Sequence, residues 1–123
     1  MRKAEQAVAN HKNHYPCSTA VLSAFAETAG LSEKEALLIA KPMAGGRMGK
    51  CGAVLAAEYV LEKIYGEKAE AKKQELERRF MEMNRSVVCR ELKGIGTGKV
   101  LCSCRQCVTD AAELLEEFCN QSE

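Results

Sequence analysis

The sequence predicts an all-α protein, a compact bundle of about five to six helices around a central apolar helix at about 51–65. Three observations carry this expectation. Ala, Glu, Leu and Lys are abundant and β-branched residues are sparse, a balance that favours helices over strands. Only Pro16 and Pro42 interrupt the 123 residues. Apolar positions recur at three- and four-residue spacings, and no run reads as a convincing strand. The length suits one domain over residues 1–123 with one core.

Each element has a local reason. A first helix is expected from about Lys3 to His11, with Ala4, Ala7, Val8 and His11 on one face, before a break at Asn13-His14-Tyr15-Pro16. Pro16 suits a first turn and opens a second helix, whose stripe is Cys17, Ala20, Val21, Ala24 and Phe25 and which Gly30 ends. Ser32 with Glu35 forms a capping box for a short third helix with Ala36, Leu37 and Ile39 inside, stopped at Lys41-Pro42. A glycine-rich loop over 43–50 leads into the central helix, which is apolar almost all round from Cys51 to Tyr65 and ends at Gly66. A highly charged helix follows from about Glu67 to Asn84. Its thin stripe is Ala69, Leu76, Phe80 and Met83. Leu76, Phe80 and Met83 can pack on the chain's own core or on a second copy in a homodimer. Ser86 is a candidate cap for a turn carrying Cys89. A second glycine-rich loop, 94–98, precedes a last helix capped by Ser103 and ending near Cys119, with Cys104, Cys107, Val108, Ala111, Leu115 and Phe118 in its stripe.

Charge and composition narrow the function. A net charge of +1 gives no basic face for nucleic acid. The Lys/Arg-rich stretch from Lys68 to Arg79 is interleaved with Glu70, Glu75 and Glu77 and reads as a solvated helix face with i,i+4 pairs. No stretch approaches the length of a membrane span, so no membrane insertion is expected. Met1-Arg2-Lys3 is followed by Ala-Glu-Gln-Ala and not by the apolar core of a secretory signal, so the expected location is cytoplasmic. In that reducing compartment seven cysteines point to metal binding or redox chemistry before a disulfide scaffold.

The seven are Cys17, Cys51, Cys89, Cys102, Cys104, Cys107 and Cys119. Cys17, Cys51, Cys89 and Cys104 each fall in the first turn of an expected helix. There the unpaired N–H groups and the dipole stabilise a thiolate, the form that attacks disulfides and binds metals. Glycines in the two loops let backbone N–H groups approach an anionic sulfur. The competing reading is packing, because free cysteine behaves as a small buried hydrophobe. Packing is the better account of Cys119, and the apolar faces around Cys17 and Cys51 admit it too. The run Cys102-Ser-Cys104-Arg-Gln-Cys107 contains a C-x-x-C, but without a βαβ pattern or a second ligand arm it specifies neither a thioredoxin fold nor a zinc site. His11 and His14 are read as surface residues. Gly94-x-Gly96-x-Gly98 lacks the strand and third glycine of a dinucleotide fingerprint, and Gly98-Lys99-Val100 is not a phosphate-binding loop.

Taken together, these segments resemble the C_GCAxxG_C_C family of redox-active proteins. Cys17-Ser-Thr-Ala-Val-Leu-Ser-Ala-Phe-Ala-Glu matches the opening cysteine and its helix. Gly45-Gly46-Arg-Met-Gly49-Lys-Cys51-Gly52-Ala53 matches the approach to the central Cys-Gly-Ala motif. Cys89-Arg90-Glu91-Leu92 matches the third cysteine, and Cys104, four residues before Val108, matches the last. The resemblance implies that Cys17, Cys51, Cys89 and Cys104 are the characteristic set. Cys102, Cys107 and Cys119 are additions, and Ala56 stands where the motif usually has Gly.

The expected function is that of a small redox-active protein with its cysteines gathered from four segments. The first expectation is electron transfer through an iron–sulfur cluster on Cys17, Cys51, Cys89 and Cys104, with Gly46, Gly49 and Gly52 close to it. The alternatives are a metal-free thiol–disulfide protein with Cys17 and Cys51 as redox thiols and Cys102 or Cys104 resolving, and a structural Zn(Cys)4 interaction module. Cys102 and Cys107 are auxiliary thiols. The expected partner is a redox protein or a small electron donor or acceptor.

Overall fold

The computed structural model describes residues 2–46, 49–95 and 98–120. Parts of both glycine-rich loops, Arg47, Met48, Gly96 and Thr97, lie outside the described residues. The elements are α1 (Lys3–Lys12), α2 (Cys17–Ala24), α3 (Glu33–Ala40), α4 (Gly52–Tyr65), α5 (Ala69–Asn84), α6 (Cys89–Leu92) and α7 (Cys104–Asn120). Tight 3₁₀ turns occupy Lys41–Gly46 and Gly66–Lys68. The fold is all-α, as expected. The only strand-like pairing among the described residues is one antiparallel bridge between Lys50 and Val88.

α4 forms the centre, packed against α2, α5 and α7, while α1 lies across α2 and α7. Its inner positions are small or branched: Ala53, Val54, Ala56, Ala57, Val60 and Leu61 have no exposed surface. Phe25, Phe80, Leu22, Leu76 and Leu115 fill the spaces around it. No helix among the described residues is long and apolar enough to cross a membrane.

Caps follow the sequence where short polar side chains precede a helix. Ser32 Oγ accepts from the Glu35 amide at 3.1 Å while the Ser32 amide donates to Glu35 at 2.9 Å, closing the capping box of α3. Ser103 Oγ accepts from the Gln106 amide at 3.1 Å at the start of α7.

Four expectations need correction. α2 ends at Ala24 and not at Gly30. Its last turn tightens, with the Ala26 amide bonding Ser23 O and the Gly30 amide bonding Glu27 O, and Gly30 closes the turn at φ +74°. α3 rests on small residues, Ala36 and Ala40, one helical turn apart, which leaves Leu37 39% exposed. On α5 the fourth inward position is Asn84 and not Met83, because Leu76, Phe80 and Asn84 are spaced four apart. Leu76 and Phe80 are fully buried in the chain's own core, whereas Met83 is exposed. Asn84 donates to Asp110 on α7 at 3.1 Å. Finally, the charges of α5 are not only i,i+4 pairs. Arg78 pairs locally with Glu75 and Glu82, but Lys73 reaches Glu62 on α4 and Arg79 reaches Glu117 on α7.

One such cross-link is partly buried. Glu58 of α4 faces Glu77 of α5, and Lys50 pairs with both, lying 3.7 Å from Glu58. Burial, then the hydrogen bond and charge of Glu77, push the Glu58 carboxyl up to about 8, so it keeps its proton and donates to Glu77. One proton, two carboxyl groups and one ammonium leave this cluster neutral.

The pH dependence follows from the raised value. Between its ordinary value of 4.5 and about 8, the folded chain holds a proton that the unfolded chain has released. Stability should therefore fall as pH rises through that window. Urea midpoints taken across it should decline for the wild type and decline less for Glu58→Gln. Parallel profiles would place the proton elsewhere.

Candidate redox site

Four helix starts deliver thiols to one place. Cys17 is the first residue of α2, whose first turn closes with the Ala20 amide on Pro16 O at 2.8 Å. Cys51 caps α4, Cys89 opens the single-turn α6, and Cys104 opens α7. The Lys50–Val88 bridge sets Cys51 beside Cys89: the Cys51 amide donates to Val87 O at 2.7 Å and the Cys89 amide to Gly49 O at 3.0 Å. Ser86 supports this segment without capping α6, its Oγ accepting from the Val88 amide and donating to Glu91. The amides of Leu101 and Cys102 both donate to Leu92 O, at 2.9 and 3.1 Å, which folds Cys102 back onto α6.

The result is a small cavity lined by Cys17, Cys51, Cys89, Cys102, Cys104 and Cys107, with Leu92 and Lys93. It brings the four expected cysteines together with both auxiliary ones. Cys119 is absent from this lining and packs half-buried against the core, as the packing account has it. Gly46 ends the 3₁₀ turn before the site, and Gly49 holds φ +88° on the approach to Cys51. All seven cysteines are thiols. The water-accessible space is about 10 Å³, close to one water molecule.

Gly52 sets the tightest approach. A Cβ there would lie 2.8 Å from the Cys17 sulfur and 2.8 Å from Met43 O, so only glycine lets the start of α4 seat against Cys17.

The thiols are not equivalent. Cys51 is buried, yet its pKa is lowered to about 7. The Cys107 thiol donates to it, the amides of Val54 and Ala53 donate as well, and Lys93 adds its charge, together outweighing desolvation. Cys107 moves up strongly as the other half of that pair, since its proton is held by Cys51, and it also hydrogen-bonds Cys102. Burial raises Cys89, Cys102 and Cys119.

Lys93 is a lining residue of this cavity that the sequence reading missed. Among the described residues it is the one charged side chain in the lining, and its hydrogen bond to Cys104 raises its own pKa. Its signal was available: it stands four residues after Cys89, one helical turn along the same face. His11, expected at the surface, is half-buried instead. Its Nδ1 accepts from Arg105 Nε at 2.8 Å, joining α1 to the start of α7. Among the described residues, no group of three or more His, Cys, Asp or Glu side chains is disposed to hold a metal ion as they stand.

A family model described as "Putative redox-active protein (C_GCAxxG_C_C)" matches residues 15–118. The chain belongs to this redox-active, multi-cysteine family. No curated protein and no solved structure matches it.

Two outcomes are expected. Gly52→Ala should destabilise the chain by ~1–3 kcal/mol, the range for overpacking a close contact, as read by urea unfolding. In the metal-free chain, alkylation of Cys51 followed by peptide mass spectrometry should show a midpoint near pH 7, while Cys119 should react only above its ordinary 9.0. Equal profiles for the two would refute the hydrogen-bond account of Cys51.

Proposed function

We propose that this protein transfers electrons through an iron–sulfur cluster held by Cys17, Cys51, Cys89 and Cys104, exchanging them with a redox partner. The observation that carries this reading is the convergence of these four, from four separate segments, on one cavity. The donor set fits the group: soft thiolates are the usual cluster ligands, and such a cluster supplies one-electron chemistry. The surroundings suit an anionic centre too. Lys93 brings a positive charge, and the Ala53 and Val54 amides point at the Cys51 sulfur. Holding a cluster requires the thiols to reorient, because among the described residues they are not disposed to hold a metal ion as they stand. Cytoplasmic residence belongs to the same reading, since the cytosol keeps such thiols reduced.

A second reading is favoured by the gathering of six thiols in one cavity. Neighbouring thiols there can pass between dithiol and disulfide without metal.

Anaerobic purification with iron, acid-labile sulfide and zinc analysis separates the readings. The cluster reading expects iron, sulfide and a visible chromophore. Cys17, Cys51, Cys89 and Cys104→Ser should each lose iron and lower stability, and Cys119→Ser should keep both. Zinc alone indicates a structural module, and a metal-free colourless protein that resists reconstitution indicates the dithiol. Equal damage from Cys119→Ser and Cys51→Ser would sink the four-ligand assignment.

A further inference from the structure

We propose that the surface built from α6 and residues 98–101, beside the cysteine cavity, docks an acidic one-electron carrier protein. The inference rests on the exchange with a redox partner proposed for the site, and it names that partner's chemistry.

The net charge of +1 conceals a local asymmetry. Of the chain's 18 Lys and Arg and 17 Asp and Glu, residues 85–107 hold Arg85, Arg90, Lys93, Lys99 and Arg105 against Glu91 alone. The same stretch supplies Cys89, Cys102, Cys104 and Cys107 to the cavity. All five cations are exposed. The cations of α5 differ, since Lys73, Arg78 and Arg79 pair with carboxylates. Among the described residues, Arg85, Arg90 and Lys93 form no ion pair with a carboxylate, and Arg105 bonds His11 instead. The Glu91 carboxylate is engaged by Ser86.

Folding gathers this charge. The Gly94 and Ile95 amides close the end of α6 on Glu91 O and Arg90 O. The returning chain lies against Gly94, where a Cβ would stand 2.7 Å from the Lys99 carbonyl carbon, so glycine seats residues 99–100 on the end of α6. Met83, Arg85, Lys99 and Val100 then border one open hollow of about 240 Å³ where this segment meets the end of α5. On the other side Lys93 lines the cavity, and Arg105 follows Cys104.

Apolar side chains interleave with the cations. Val100 is 64% and Ile95 54% exposed, and Met83 and Val88 are exposed too. An apolar centre with a charged rim is the anatomy of a protein docking face, whereas nucleic acid would use the cations and leave the apolar groups wet. A second copy meeting this face about a two-fold axis would bring like charges together. Transient electron-transfer pairs bury little surface and are steered by opposite charge, which fits a small cationic patch at a redox cavity.

The test titrates the full chain, purified anaerobically, with oxidised flavodoxin, an acidic one-electron carrier, by calorimetry. Binding is expected at about 0.05 M salt and should weaken about tenfold by about 0.3 M, because ions screen the rim charges. Arg85→Glu combined with Arg90→Glu should weaken it about tenfold through like-charge repulsion. Ile95→Ser combined with Val100→Ser should also weaken it, with the salt dependence of the wild type. Lys68→Glu, at the far end of α5, should bind as wild type. If the arginine pair does not fold, as read by circular dichroism, the wild-type salt dependence and the Ile95 and Val100 pair decide. No binding at low salt, binding indifferent to salt, or equal weakening by Lys68→Glu overturns the proposal. Tighter binding of duplex DNA, or a dimer in gel filtration that the Ile95 and Val100 changes dissolve, overturns it in favour of those occupants. Iron content tests the cluster separately. An iron-free chain that docks flavodoxin in this way keeps the docking face and loses the cluster, and an iron-containing chain that does not dock it does the reverse.

Discussion

Where α4 begins, its backbone lies against the sulfur of Cys17, with no Cβ on Gly52 to hold them apart. Much of the site depends on this approach. It places the cap of one buried helix beside the first residue of another, so two thiols meet without a loop between them. Met43 O bounds the same spot, so the 3₁₀ turn after α3 is seated by the same contact. A hydrogen bond from Ser18 to Ala40 O at 2.8 Å ties α2 to the end of α3 just behind it.

The second constraint is electrostatic. Burial pushes the Cys89 and Cys102 thiols toward the neutral form, and Cys107 moves the same way, first through its hydrogen bond with Cys51 and then through burial. Directed donors move Cys51 the other way. Two backbone amides and one thiol converge on a single sulfur, and a hydrogen bond aimed at a charge in a low-dielectric site is worth more than one in water. The asymmetry between Cys51 and Cys107 therefore arises from where helix α4 starts, and the sequence around Cys107 has little part in it.

Much of the fold could be read from local windows. The capping box at Ser32–Glu35, the Ser103 cap and the apolar run of α4 each act over a few residues, and each is present. The helix-start positions of Cys17, Cys51, Cys89 and Cys104 were legible for the same reason. What stayed hidden joins distant segments. The Lys50–Val88 bridge leaves no periodic trace in either strand-poor segment, yet it sets Cys51 beside Cys89. Glu77 read as one more charge on a solvated face, and its buried partner Glu58 drew no reading, because sequence shows charge and not burial. Lys93 drew no reading as a site residue, although its spacing from Cys89 marks it. Leu37 and Met83 were assigned inward on apolarity alone, where alanine and asparagine at the true inward positions pack closer.

The alanine-lined seam between the central helices has a consequence for how such a site can change over time. Ala20 of α2 and Ala53, Ala56 and Ala57 of α4 have no exposed surface, so backbones and not side chains set the spacing there. Such a seam has few projecting knobs to lock one register. A slip of one residue along α4 would carry Cys51 about 1.5 Å along the axis and turn it about 100° away from its neighbours. The anchors at the two ends of α4, the Cys51 amide on Val87 O and the Tyr65 hydroxyl on Phe118 O, thus serve as a ruler. Insertions and deletions in this lineage should collect in the connections outside that ruler and leave the span between Cys51 and Tyr65 at constant length.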